Sequence, residues 1–416
     1  MTAPPVLETP LLPRAKTPRG RTRRGFLGHS PALDGLRGIA LILVLVYHFT
    51  GVEGPLPGGW SGVDVFFVLS GFLITGLLLD ERKLHGRVSL GLFYARRGLR
   101  LLPALLVMLA VWCALLLVFH DQQWFGAVPN GRKAGNTVDV MPALGHVALV
   151  LTYGINWVHA LFHGHAPLGH LWSLAVEEQF YIVWPFALLF FLRLPSARRV
   201  WPVLMLAFAS AALPFFLYDG GAGKNRIYFG TDTRAVGLLL GASAALIWHR
   251  RRSRGRAARL PGTRAWAGVA FVAFVAAYMA NMPAKFVLAP ALLGLAVSQI
   301  VPYLVDHSAS VMARAMSFRP LTWVGKRSYA LYLWHYLWAT WTHPLPLSYG
   351  MPLGVAGALL CTFLSWRYVE APALRYATRF KPTTTVELPA TTNAYRFNPA
   401  RAVTAVGETG TAPLAG

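Results

Sequence analysis

An arginine and a histidine lie on one apolar segment near the start of the chain. Arg37 and His48 are eleven residues apart, which on a helix is about three turns, so they share a face about 16 Å apart along the axis. Ionisable groups inside apolar helices are costly and are functional candidates. Such a pair could hold the two ends of a long substrate, with the imidazole as a proton acceptor. Alternatively, Arg37 could be an interfacial anchor and His48 a neutral core histidine.

Carboxylates enter two other apolar segments. Asp64 begins the second segment at the depth expected for His48, so its carboxylate could orient the imidazole ring. It could equally be a carboxylate at a helix N-terminus, where the helix dipole stabilises it. Glu177 and Glu178 are adjacent and point to different sides of their helix. We predict Asp64 and Glu177 as catalytic residues beside Arg37 and His48.

Basic residues between the second and third apolar segments suit phosphate binding. Arg97 and Arg100 are three residues apart and share a helix face, and paired guanidinium groups bind phosphates in a bidentate manner. Arg96 is included with them as a candidate for binding a donor substrate, although a basic cytoplasmic loop would also explain it.

Hydroxyl and aromatic residues complete the set of candidates. Ser173 lies one turn before Glu177 and Tyr181 one turn after it, and a later segment places Ser328, Tyr332 and His335 on one face. An ion pair between Asp232 and Arg234 is expected. The group His163, His165 and His170 lacks the spacing of a metal site, and we interpret it as a loop. The predicted substrate-binding residues are Ser173, Glu178, Tyr181, Tyr332 and His335, and no metal ligand is predicted.

The composition shows which elements must position these residues. Of 416 residues, 55% are hydrophobic and 13% charged, and the mean hydropathy is +0.46. A soluble protein has about 25% charged residues. The apolar blocks are about as long as a membrane-crossing helix, roughly 20 residues. The sequence therefore predicts an all-α fold, a polytopic transmembrane helix bundle. Its net charge of +23 reflects basic cytoplasmic loops rather than nucleic-acid binding.

The distribution of Lys and Arg between the two sides of the membrane is most uneven if the chain has about ten spans and both termini lie in the cytoplasm. All but six of the 39 Lys and Arg residues then lie on the cytoplasmic side. This arrangement requires that the polar segment 143–161 lies along the membrane or dips into it. The predicted spans are approximately 35–52, 62–79, 101–119, 174–192, 200–218, 234–248, 265–281, 286–304, 327–343 and 352–369.

One domain is predicted between two disordered tails. Residues 1–32 form a basic tail rich in Pro and Arg, and 377–416 a tail rich in Thr, Ala and Pro. The transmembrane domain extends over 33–376. No cleavable signal peptide is expected, because the first apolar block is too long to be one.

Several motifs occur in an order that resembles the membrane-bound acyltransferase family 3. Its bacterial members acylate surface glycans and macrolides. The motifs are Leu33–Arg37 with His48, Gly62–Ile74, Phe93–Pro103, Leu171–Trp184 and Ser328–His335. The resemblance covers roughly 33–375 and implies a ten-helix domain that moves an acyl group from acyl-coenzyme A to a hydroxyl.

The resemblance also assigns roles to residues. The family's Arg-x10-His motif falls on Arg37 and His48, implicated in catalysis, and its Arg-x-x-Arg motif on Arg97 and Arg100, which would contact the donor. Its acidic motif corresponds to Glu177 and Glu178. Some relatives carry an additional extracytoplasmic hydrolase-like domain, and from the length of this sequence we expect none here.

These observations together predict an O-acyltransferase in the plasma membrane. The expected donor is acyl-coenzyme A, in particular acetyl-coenzyme A, and the acceptor is a hydroxyl of a sugar, glycan or secondary metabolite. We expect no permanently bound cofactor and no nucleic-acid partner. The expected surroundings of the protein are the lipid bilayer. The alternative is a secondary transporter or flippase that uses the buried Arg, His and Glu groups as a substrate or proton path.

Overall fold

The computed structural model describes residues 26–51, 54–121, 139–162, 168–218, 223–257, 263–279 and 282–380. In these ranges the secondary structure is helical, without a strand, which confirms the all-α prediction for the described residues. The α-helices are α1 (Pro31–Thr50), α2 (Gly62–His85), α3 (Leu90–Phe119), α4 (Val140–Leu151), α5 (Ile155–Leu161), α6 (Trp172–Phe191), α7 (Val200–Leu217), α8 (Gly223–Phe229), α9 (Thr231–Ser253), α10 (Thr263–Met279), α11 (Met282–Val287), α12 (Ala289–Asp306), α13 (Val311–Met316), α14 (Arg319–Lys326), α15 (Ser328–Thr342), α16 (Leu347–Ser365) and α17 (Ala371–Ala377). Short 3-10 turns (Gly59–Ser61, Gly169–Leu171, Thr378–Phe380) and a π-helical turn (Trp366–Glu370) adjoin them.

Seven helical stretches within the described residues are long and apolar enough to cross a membrane. They contain α1, α2, α3, α6, α7, α12 and α16. The number becomes eight if α4 and α5, which are bent by 118° against each other, form one broken span. The bend fits a broken span as well as a re-entrant segment, so the position of 143–161 along the membrane or dipping into it stays a prediction.

Three of the ten predicted spans do not meet the same limits of length and hydropathy. The segments 234–248, 265–281 and 327–343 fall mostly within helices α9, α10 and α15, but none of these is among the seven stretches. The number of ten spans and the cytoplasmic position of both termini therefore remain predictions.

Close backbone contact joins α2 to α9 beside the site described below. A side chain at Gly71 would place its Cβ 1.9 Å from the carbonyl oxygen of Leu238, and one at Gly241 would place it 2.1 Å from that of Val68. Small residues allow membrane helices to approach in this way. The two glycines thus hold α2 and α9 at backbone contact.

The outer surface of the bundle is apolar. Large side chains on α3, α6 and α7 are exposed, among them Val118 (70% exposed), Val183 (63%), Phe208 (69%) and Phe216 (84%). A soluble protein rarely exposes such contiguous apolar surface, whereas helices that face lipid carry it. This surface and the apolar helices indicate a multi-pass membrane protein.

The two predicted tails lie mostly outside the described residues, namely in 1–25 and 381–416. Their disorder remains a prediction. At the inner end of the first tail, the backbone N–H groups of Phe26 and Leu27 donate to the carboxylate of Asp80 at 3.0 and 2.7 Å. Helix α1 then begins at Pro31.

Candidate active site

A cavity of about 380 Å³ lies between α1, α2, α3, α6 and α15. Three predicted arginine and glutamate positions on different helices face it: Arg37 on α1, Arg100 on α3 and Glu177 on α6. The same cavity is lined by Arg97, Ser173, Tyr181 and Tyr332. Helix packing therefore gathers seven of the predicted site residues around one space.

The three arginines of the cavity differ in how their charges are balanced. Arg97 donates to Glu178 through Nη2 at 2.8 Å and Nε at 3.2 Å, and its guanidinium carbon lies 3.2 Å from the centre of the Tyr181 ring. Arg37 has a looser contact of 3.8 Å with Asp34. Arg100 forms no salt bridge within the described part of the chain. The cavity thus holds guanidinium groups that could bind an anion.

The two adjacent glutamates of α6 point to different partners, as the helix geometry predicts. Glu177 faces the cavity and accepts a hydrogen bond of 2.7 Å from the hydroxyl of Ser70. Glu178 is buried against Arg97. Ser70 lies in a motif quoted for the family resemblance, but we did not predict it as a site residue. Its partner is 107 positions away in sequence, so no local pattern indicates the contact.

Tyr332 connects the cavity to a group of histidines. Its hydroxyl donates to the backbone carbonyl of His170, and Ser173 Oγ lies 2.7 Å from the same hydroxyl oxygen. A tyrosine hydroxyl has one hydrogen, so Ser173 must be the donor in the second contact. Tyr332 and Ser173 therefore form an ordered wall at this part of the cavity.

Three imidazole rings from α1, α15 and the turn before α6 lie together behind that wall. His335 Nε2 is 3.1 Å from His48 Nδ1, and the ring centres of His170 and His335 are 5.9 Å apart. His170 is 3% exposed and its ring stacks on Tyr336. The interpretation of His170 as a loop residue is wrong, because it lies in the 3-10 turn Gly169–Leu171 immediately before α6. His163 and His165 lie outside the described residues. The aromatic residues that follow His170 in the sequence were the available signal that this histidine belongs to the site.

Asp64 does not contact His48, contrary to one hypothesis from the sequence. Its Oδ1 lies 2.8 Å from Arg234 Nη2, and both side chains are 2% exposed. The expected pair between Asp232 and Arg234 is also wrong, because Asp232 binds Arg226 at 2.8 Å instead. The carboxylate of Asp64 thus balances a charge from α9, and the nitrogen that faces the His48 ring belongs to His335.

Arg96 lies apart from the cavity arginines. Its guanidinium donates to Glu81 Oε2 at 3.0 Å and to the backbone carbonyl of Phe380 at 2.8 Å. Arg96 does not line the cavity, so the structure groups Arg97 and Arg100 with Arg37 and leaves Arg96 in a separate ion pair.

A short segment before α1 forms one rim of the cavity. Leu27, Gly28 and His29 line it, and the segment is held by the Asp80 contacts and by a 2.9 Å contact between His29 Nε2 and Asp34 Oδ2. These residues fell within the predicted disordered tail and were not predicted as part of the site. Among the described residues, no group of three or more His, Cys, Asp or Glu side chains is arranged to hold a metal ion.

Known proteins resemble this chain over most of its length. A model of the acyltransferase 3 family, an acyltransferase domain, matches residues 30–367. The peptidoglycan O-acetyltransferase OatA of Listeria monocytogenes is 35% identical over 376 residues, which is 85% of this chain and 57% of that protein. The putative peptidoglycan O-acetyltransferase YrhL of Bacillus subtilis is 34% identical, over 82% of this chain and 54% of that protein.

A putative O-acetyltransferase of Staphylococcus aureus, SAS0844, is 31% identical over 85% of this chain and 59% of its own length. The chain thus spans a little more than half the length of these curated relatives. No solved structure matches it.

Proposed function

Because the chain belongs to this acyltransferase family, we propose that it is a membrane O-acetyltransferase that moves an acetyl group from acetyl-coenzyme A to a hydroxyl of a cell-wall glycan. The observation that carries the proposal is one cavity that holds Arg37, Arg97 and Arg100 and is lined by Tyr332. His48 and His335 are not among the lining residues of this cavity, but His335 contacts the backbone of Tyr332 and the ring of His48. The names of the relatives support a glycan acceptor.

The donor is proposed to bind through its phosphates. Arg100, which has no salt bridge among the described residues, and Arg37, whose contact with Asp34 is loose, leave guanidinium donors available in the cavity. Such donors match the oxygen atoms of phosphate groups in charge and geometry. The pantetheine arm would extend along the cavity wall, where Glu177 can accept a hydrogen bond from one of its amides.

The transfer step requires a base near the thioester. In the proposed reaction His48 takes the proton of the acceptor hydroxyl as the oxygen attacks the thioester carbonyl carbon. The carbon–sulfur bond breaks, and the thiolate of coenzyme A leaves with the electron pair. The imidazolium then returns the proton to that thiolate, which gives the thiol and restores neutral His48.

The test is a transfer assay with purified protein in detergent or nanodiscs. Labelled acetyl-coenzyme A and cell-wall glycan fragments are supplied, and both the acetylated glycan and the released thiol are measured. We expect equal amounts of the two products. A transporter or flippase would release no thiol, and that result would refute the proposal.

A further inference from the structure

The hydrogen positions of the histidine pair follow from its neighbours. His335 is fully buried, and its Nδ1 lies 2.7 Å from the backbone carbonyl oxygen of Tyr332 and 3.2 Å from that of Leu331. Carbonyl oxygens only accept hydrogen bonds, so Nδ1 of His335 must carry the hydrogen. In the neutral ring, Nε2 of His335 is then an acceptor with a lone pair.

The same reasoning extends to His48. Its Nδ1 lies 3.1 Å from Nε2 of His335, and since that atom is an acceptor, Nδ1 of His48 must donate. Neutral His48 therefore carries its hydrogen on Nδ1 and a free lone pair on Nε2.

We propose that His335 is a positioning residue that holds His48 in the Nδ1–H tautomer and thereby makes Nε2 the atom that takes the proton from the acceptor hydroxyl. This inference rests on the proposed acetyl transfer. In a catalytic triad a carboxylate accepts from the histidine and fixes its tautomer. Here the neutral imidazole of His335 performs that task, since the carboxylate of Asp64 is paired with Arg234.

The reaction remains balanced with His335 as an acceptor throughout. When Nε2 of His48 gains the hydroxyl proton, its Nδ1–H continues to donate to His335 Nε2, and no proton moves onto His335. The developing imidazolium is stabilised by this hydrogen bond, because bonds from charged donors are stronger than neutral ones. His48 loses its added proton to the leaving thiolate.

Two substitutions of His335 distinguish a role in positioning His48 from a role in packing. His335→Gln keeps an oxygen that can accept from His48, whereas His335→Leu fills a similar volume without an acceptor. We expect His335→Leu to lower kcat about tenfold or more with KM for acetyl-coenzyme A unchanged, as loss of an orienting partner does, and His335→Gln to restore most of kcat. His343→Leu, at an exposed histidine after the same helix, is the matched control and should leave kcat unchanged.

An NMR measurement tests the tautomer without any turnover. In protein labelled with ¹⁵N-histidine, the signals of His48 are assigned by their loss in His48→Gln. We expect the protonated nitrogen of His48 to be Nδ1 in the wild type and in His335→Gln, and the hydrogen to be no longer held there in His335→Leu.

The inference is overturned if wild-type His48 carries its hydrogen on Nε2. It is also overturned if His335→Leu raises KM while kcat stays constant, because that result would make His335 a substrate-binding residue. If the wild type transfers no acetyl group but His48 shows the Nδ1–H tautomer, the proposed function fails while the assignment of the tautomer stands.

Discussion

The bundle contains two charged interior regions, the cavity and the pair formed by Asp64 and Arg234. They differ in how their charges are balanced. In the pair, one carboxylate meets one guanidinium, and both are 2% exposed. The rings of Trp172 and Tyr228 lie about as far from the Arg234 guanidinium as a cation–π contact requires, at 5.4 and 5.2 Å. The two charges of this pair balance each other.

In the cavity, by contrast, two arginine side chains lack a close carboxylate partner. Arg100 has no salt bridge among the described residues, and Arg37 has only a contact of 3.8 Å. Removing one partner of a buried ion pair leaves an uncompensated charge and is strongly destabilising. An arginine beside a cavity that has no close carboxylate partner can instead bind an anionic ligand. The comparison therefore predicts that substitutions in the pair affect stability, while substitutions in the cavity affect binding and turnover.

The largest effect is expected from removing one charge of the pair formed by Asp64 and Arg234. Asp64→Asn leaves the charge of Arg234 buried without a counter-charge, which costs about 3–5 kcal/mol of stability. Thermal unfolding of the purified protein in detergent should show a markedly lower midpoint. Asp121→Asn is the control, because that carboxylate is largely exposed and its ion pair within the described residues is with the neighbouring His120. Equal midpoints for Asp64→Asn and the wild type would contradict the assignment of the pair as structural.

The second largest effect is expected from removal of the proposed base. His48→Ala should lower the rate of acetyl transfer about 100-fold or more, the usual contribution of a general base. Binding of acetyl-coenzyme A, measured by calorimetry with the same preparation, should be retained because the cavity arginines are intact. An undiminished rate would remove His48 from the proposed mechanism.

A smaller effect is expected for the unpaired arginine of the cavity. Arg100→Gln removes one charge-assisted contact to a phosphate, worth about 1.5–3 kcal/mol, so KM for acetyl-coenzyme A should rise at least tenfold. Arg96→Gln is the matched control four residues away, since Arg96 binds Glu81 outside the cavity. If both variants raise KM equally, general basic charge rather than the cavity attracts the donor.

The smallest effect is expected at Ser70. Ser70→Ala removes one hydrogen bond to Glu177, worth about 1 kcal/mol, so kcat/KM should fall about fivefold. Ser61→Ala is a useful control, because the Ser61 hydroxyl donates to the backbone of Gly58 and does not line the cavity. A larger loss in Ser61→Ala than in Ser70→Ala would argue against a role of Glu177 in the cavity.

Part of the geometry around the cavity could be predicted because it depends on helix periodicity. Arg97 and Arg100, three residues apart, do line one cavity, and Glu177 does share a face with Ser173 and Tyr181. Spacing on one helix determines which side chains point the same way. The prediction failed where it paired residues of different elements, at Asp64 with His48, and where it assigned His170 to a loop.

The amino-acid sequence by itself determined that this chain is helical and apolar, and which residues share a face of each helix. Only the tertiary structure decided that Asp64 binds Arg234 and that His335 binds His48 across 287 positions of the chain. The physical reason is that the helical repeat sets the direction of a side chain within its own helix. Close contacts such as those at Gly71 and Gly241 set which helix lies opposite.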